Sequence, residues 1–147
     1  LHLKISSDII EKAFKSWWAL VEKSKLYPET IPVLEKLKKM EMRLIIMSNT
    51  ENESFYFKIK ETGLNKYFER FFISGQIGSL KHEGKMFQLA QEYLRLPKNQ
   101  VIMVDDSLDH GVIPARKFGW KALWIARGKE GDDRFKIEDL RRIFDFF

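Results

Sequence analysis

Four short apolar runs, separated by amphipathic stretches of helical length, limit what this chain can become. MRLIIM at residues 42–47, RFFIS at 70–74, VIMV at 101–104 and WKALWIA at 120–126 read as strands. The first is continuous rather than alternating, the pattern of a strand covered on both faces. Before it, Ser6, Ser7 and Asp8 are capping residues for a helix whose apolar stripe is Ile9, Ile10, Ala13, Phe14, Trp17, Leu20 and Val21. A second helix, with Pro32 near its start, carries Val33, Leu34 and Leu37 and ends near Met40. Others are predicted from about Asn52 to Thr62, from Glu83 to Arg95, and from the third strand to about Phe118. GQIGS reads as a glycine-rich loop, and IEDLRRIFDFF as a terminal amphipathic helix. Strands that alternate with helices of this length imply a mostly parallel sheet with helices on both faces, a three-layer α/β sandwich. Ligands bind such sheets beyond the carboxyl ends of the strands.

Composition narrows the function classes. The 147 residues suit one domain, and the absence of cysteine removes disulfides, zinc-thiolate sites and a cysteine nucleophile. The net charge of +5 is spread over helices rich in Lys, Arg and Glu, so no concentrated basic face points to nucleic acid. No apolar run approaches a membrane span and no secretory signal opens the chain, which makes a cytoplasmic location the expectation. Enrichment in Lys and Glu leans toward a heat-adapted source. The aromatics Trp17, Trp18, Phe55, Tyr56, Phe57, Trp120 and Trp124 are expected to serve packing.

Polar groups gather where the ligand crevice should lie. The first strand runs into Ser48, Asn49 and Thr50; the loop after the second leads to Lys81; the third runs into Asp105, Asp106, Ser107 and Asp109. Each has a structural alternative. Thr50 with Glu53 fits a capping box, Lys81 by itself reads as a surface lysine, and one of the twin acids would suffice to cap the next helix. Taken together, they are equipment for phosphoryl transfer. Carboxylates suit Mg²⁺, a hydroxyl beside free backbone N–H groups holds phosphate oxygens, and a lysine neutralises both. A receiver-type signalling domain combines the same groups, but there the acids come first and the lysine last.

MRLIIMSNT, GSLKHEGKMF and VIMVDDSLDHGVIPARKFGWKALWI, in that order, resemble the haloacid dehalogenase superfamily over about residues 28–127. The resemblance implies a Rossmann-like core at 28–147, preceded at 1–27 by a helical segment similar to the end of a cap. It implies that Ser48, with Asn49 beside it, binds the phosphoryl group. Lys81 would neutralise that group and orient a nucleophile, and Asp106 would hold Mg²⁺ with Asp105 adjacent, where many members carry glycine. Three departures stand out. His82 follows the lysine in place of the usual proline. His110 and Gly111 occupy the positions of a further acid, for which Asp109 is a substitute candidate. The first motif, a strand ending in Asp-x-Asp that supplies the nucleophile, is missing.

Ser6 and Asp8 are spaced like a degenerate version of that motif, behind alternation at Leu1, Leu3 and Ile5. Otherwise the nucleophile is expected upstream of Leu1. In the family that strand lies between the strands ending at Ser48 and Asp105, so three arrangements are predicted. Residues 1–5 stand in for it, the flanking strands pair directly, or a complementing chain fills the gap. The functional expectation is a Mg²⁺-dependent hydrolase of a small phosphorylated metabolite, incomplete without its nucleophile. The alternative is a catalytically dead binding module. An exposed apolar face on residues 9–21 would mark a homodimer contact or a substrate lid.

Overall fold

A computed structural model describes residues 6–147, so the alternation at Leu1, Leu3 and Ile5 lies outside the described residues. Ser6 and Asp8 do not end a strand: Ser6 is the N-cap of helix α1 (Ser7–Glu22) and Asp8 sits in its first turn. Apart from Val21, which is buried, this helix is largely solvated. Trp18 meets Phe57 at 5.3 Å between ring centroids, while Ile9, Ile10, Phe14 and Leu20 are exposed. Helix α2 (Thr30–Lys39) leads into strand β1 (Ile45–Ser48), followed by α3 (Asn52–Glu61), β2 (Arg70–Ile73) and the short α4 (Ser74–Ile77). Helix α5 (Lys85–Leu94), β3 (Ile102–Asp105), α6 (Ile113–Phe118), β4 (Lys121–Ile125) and β5 (Lys136–Ile137) complete the α/β order. None of the described helices is long and apolar enough to cross a membrane.

All pairings are parallel, with Ile45 opposite Arg70, Ile102 opposite Lys121 and Ile125 opposite Ile137. Side chains alternate between two covered faces, as the pleat requires. Met103, Ala122 and Trp124 pack with Met86, Phe87 and Ala90 of α5. Leu123 and Ile125 pack on the other side with Val33 and Leu37 of α2 and with Ile143, and Ile102 and Val104 join them. The third cluster sets Phe55 and Ile59 of α3 against Ile73. Helices thus cover both faces, as the apolar runs predict.

The sheet is divided. β1 pairs with β2, β3 with β4 and β4 with β5, but β1 and β3 do not pair with each other. Direct pairing of the flanking strands, one of the three expected arrangements, therefore does not occur among the described residues. Between them runs an apolar cleft of about 320 Å³, lined by Ile45, Ile46, Met47, Met103, Leu37 and Ile143 among others. This explains a second correction. MRLIIM was expected to be covered on both faces, yet β1 is only half-buried along its length because one edge opens on the cleft.

Local corrections also have physical causes. IEDLRRIFDFF is not an α-helix: Ile137 belongs to β5, and Leu140–Phe146 is a 3₁₀ helix. Leu140, Ile143 and Phe146 recur every third residue, matching three residues per turn, and all three join the α2 cluster. Asp139 stops the preceding strand by accepting the Arg141 N–H at 2.8 Å. GQIGS, expected as a loop, contributes its first residues to α4. At α3 the cap is Glu51 rather than Thr50: its carboxylate accepts the N–H groups of Glu53 and Ser54 at 2.7 and 2.8 Å.

Candidate active site

At the carboxyl ends of β1, β3 and β4 lies a hollow of about 540 Å³. Ser48, the last residue of β1, Lys81, Asp105, the last residue of β3, and Asp106 all line it. Lys81 comes from a single 3₁₀ turn, Lys81–Glu83, entered through Leu80. Glu83 closes that turn by accepting the Leu80 N–H at 2.6 Å and the Ser79 hydroxyl at 2.8 Å. Those hydrogen bonds hold the Glu83 carboxyl below its ordinary range. Asn49 does not line the hollow. Its Oδ1 accepts the backbone N–H of Lys81 at 2.9 Å, which ties the end of β1 to the lysine turn.

The twin acids differ sharply in environment. Asp105 is buried and both its carboxylate oxygens are engaged: Oδ2 accepts from the buried ammonium of Lys81, and Oδ1 accepts the Ser107 N–H at 2.8 Å. Asp106 is exposed, with its carboxylate 3.5 Å from the Lys129 ammonium, which also donates to the Asp106 carbonyl at 2.7 Å. A buried lysine is tolerable only with such a partner, because desolvating a lone charge costs several kcal/mol. Gly111 makes room for the arrangement. A Cβ there would stand 2.1 Å from Asp105 Cγ, so the Asp105 carboxyl fills the space from which a side chain at 111 would start. Asp109, the substitute acid considered from sequence, is exposed and borders a neighbouring hollow with His82 instead.

Three further residues on the rim escaped sequence reasoning: Tyr27, Arg127 and Lys129. Arg127 and Lys129 follow β4, so applying the strand-end rule to the fourth strand would have found them. Tyr27 gave no signal. The Arg127 guanidinium lies 3.6 Å from the centre of the Tyr27 ring and 2.5 Å from the buried Glu29 carboxylate. Burial alone would push the Glu29 carboxyl up. Its backbone hydrogen bond and Arg127 outweigh that and leave it below the ordinary range. Arg127 adopts φ 41°, a left-handed conformation that costs a non-glycine residue roughly 1–2 kcal/mol. Lys81, Arg127 and Lys129 face Asp105 and Asp106, and the Glu29 carboxylate behind Arg127 balances the third cation.

A parallel α/β core thus brings a hydroxyl, a buried lysine and paired acids to its strand ends. The haloacid dehalogenase-like hydrolase family matches residues 7–119, and the chain belongs to that family. Among its relatives, the phosphoserine phosphatase of Thermus thermophilus is 27% identical over 124 residues, covering 81% of this chain and 50% of that protein. The glyceraldehyde 3-phosphate phosphatase of Methanopyrus kandleri is 30% identical over 115 residues, covering 78% and 49%. The crystal structure of a phosphatase of this family from Thermococcus onnurineus superimposes with a TM-score of 0.78 at 28% identity, covering 99% of this chain and 65% of that one. The chain thus spans about half the length of these curated relatives.

Proposed function

We propose that the chain is the core of a Mg²⁺-dependent phosphoric monoester hydrolase acting on a small phosphorylated metabolite, with residues 1–27 belonging to its cap. The observation that carries this reading is the convergence of Ser48, Lys81 and Asp106 on one hollow. In it, the Ser48 hydroxyl donates to a phosphoryl oxygen and the Lys81 ammonium neutralises the charge that develops there. Asn49 and Asp105 act through Lys81, one fixing its backbone and the other its side chain.

The donor set fits Mg²⁺ loosely. Asp106 offers a solvent-facing carboxylate, whereas both Asp105 oxygens are already hydrogen-bonded. Among the described residues no group of three or more His, Asp or Glu forms a ready cage. Mg²⁺ keeps several waters and needs only one or two carboxylates plus substrate oxygens. Asp106 would therefore hold it, with Asp105 beside it, and the ion would supply further neutralisation of the phosphate. The nucleophile, in this reading, arrives on a strand seated in the cleft between β1 and β3, whose carboxyl ends both open on the same hollow.

The test compares hydrolysis of p-nitrophenyl phosphate with Mg²⁺ by the chain alone and by a version fused upstream to an apolar strand ending in Asp-x-Asp. Activity in the fused form, lost in Asp106→Ala, is the expected result. The second reading, a catalytically dead binding module, is favoured by the engagement of Asp105, which leaves no unpaired buried carboxylate among the described residues lining the hollow to act as nucleophile. Two inert forms that still bind inorganic phosphate would support it instead.

A further inference from the structure

Outside the hollow, the lysine turn and the loop after β3 meet a second time. His82, next to Lys81, and His110, in the wide turn Leu108–Val112, place their ring centroids 5.9 Å apart with 57° between the ring planes. Both residues are exposed and within reach of a dissolved ion. We propose that His82 and His110 form a two-imidazole site for a borderline transition-metal ion such as Zn²⁺, distinct from the carboxylate site and independent of the phosphatase reading.

The spacing is compatible with shared ligation, although among the described residues no third His, Asp or Glu completes a cluster. Two imidazoles that share one ion at about 2.0–2.1 Å per nitrogen put their centroids roughly 5–6 Å apart. The backbone that carries the two rings is held in advance. The buried Lys81–Asp105 pair clamps the two loops together beside the histidines, Asn49 fixes the Lys81 backbone, and the His110 backbone N–H donates to Ser107 Oγ at 3.2 Å. Little backbone ordering is left to pay on binding. Surrounding charge does not oppose a dication: Lys81 and Lys117 line the adjoining hollow, but so do Glu83 and Asp109. Imidazole is a borderline ligand that suits Zn²⁺, Ni²⁺ or Cu²⁺ and not Mg²⁺, so the two sites sort by chemistry. With two protein ligands, water completes the coordination. A bound ion would staple the turn that carries Lys81 to the loop that carries Asp105 and Asp106.

Zn²⁺ titrated into the whole chain by calorimetry, with Mg²⁺ in excess, tests the site. One equivalent should bind, and the thermal unfolding temperature should rise with it. His82→Ala and His110→Ala should each weaken that binding by roughly tenfold or more, since even supporting groups of metal sites are commonly worth that much. Asp106→Asn should leave it unchanged. Because both rings are exposed, the variants are expected to fold as the parent does, which circular dichroism checks. Zn²⁺ binding that survives both histidine substitutions, or that disappears in Asp106→Asn, overturns the proposal, as does the absence of binding to the parent chain.

Discussion

At the scale of single residues, the most informative contact is between Gly111 and Asp105. No left-handed backbone angle explains that glycine; the closeness of the Asp105 carboxyl does. Gly111→Ala should therefore cost about 1–3 kcal/mol, as overpacking does, in urea denaturation. In an Asp105→Gly background the same change should cost almost nothing, because the atoms it collides with are gone. Equal costs in both backgrounds would show that the contact is not what requires glycine. Lys81→Met should be worse, at about 3–5 kcal/mol, since it strands Asp105 as a buried charge without its partner. Asp105 and Gly111 also resolve what looked like a thinned motif. The Asp105 carboxyl, at the end of the strand, occupies the space that a side chain at 111 would enter.

At the scale of elements, α6, β4 and the segment before β5 are joined by one bidentate pair. The Arg116 guanidinium donates to Asp133 at 2.6 and 2.8 Å and to the Ala122 carbonyl at 2.9 Å. The Arg116 hydrogen bonds hold the Asp133 carboxyl below its ordinary range, against the opposing effect of burial. A carboxyl depressed in the folded state stabilises the fold above its unfolded pKa, about 3.9 for Asp, and that stabilisation is lost as pH falls toward the folded value. Asp133→Asn should thus lower stability by about 1–2 kcal/mol at neutral pH. It should also flatten the loss of stability below about pH 4, read by thermal melts across that range. Helix α5 is the main apolar anchor. Phe87 lies 5.5 Å from Phe118 and 5.2 Å from Trp120, and Phe87→Ala should cost about 3–5 kcal/mol by the same melts.

At the scale of the whole molecule, the two open edges facing each other across the apolar cleft dominate. A strand of typical length seated there would form ladder hydrogen bonds on both sides, each worth about 0.5–1.5 kcal/mol net, besides covering the half-buried β1. The version fused to such a strand should therefore unfold at higher urea than the chain alone, by several kcal/mol in extrapolated stability. An unchanged midpoint would mean that the cleft does not accept a strand. Helix α1, whose apolar stripe is plain in the sequence, leaves Ile9, Ile10, Phe14 and Leu20 exposed.

How much of this was legible in the residues follows from the range of the forces involved. Strand and helix order, the three layers and the gathering of Ser48, Lys81, Asp105 and Asp106 at the strand ends all rest on periodicity and chain direction, which are local. Where the reading failed, a distant partner or a competing local one decided. The tail became 3₁₀ because Ile137 pairs with Ile125 and the next apolar residues recur every three. Glu51 replaced Thr50 as cap because its longer carboxylate reaches two N–H groups at once. The unequal roles of the twin acids, one sealed against a lysine and one left to solvent, exist only when turns distant in sequence close on each other. Local pattern thus determined which groups reach the site. Tertiary packing, which controls desolvation, decided what each of them is free to do there.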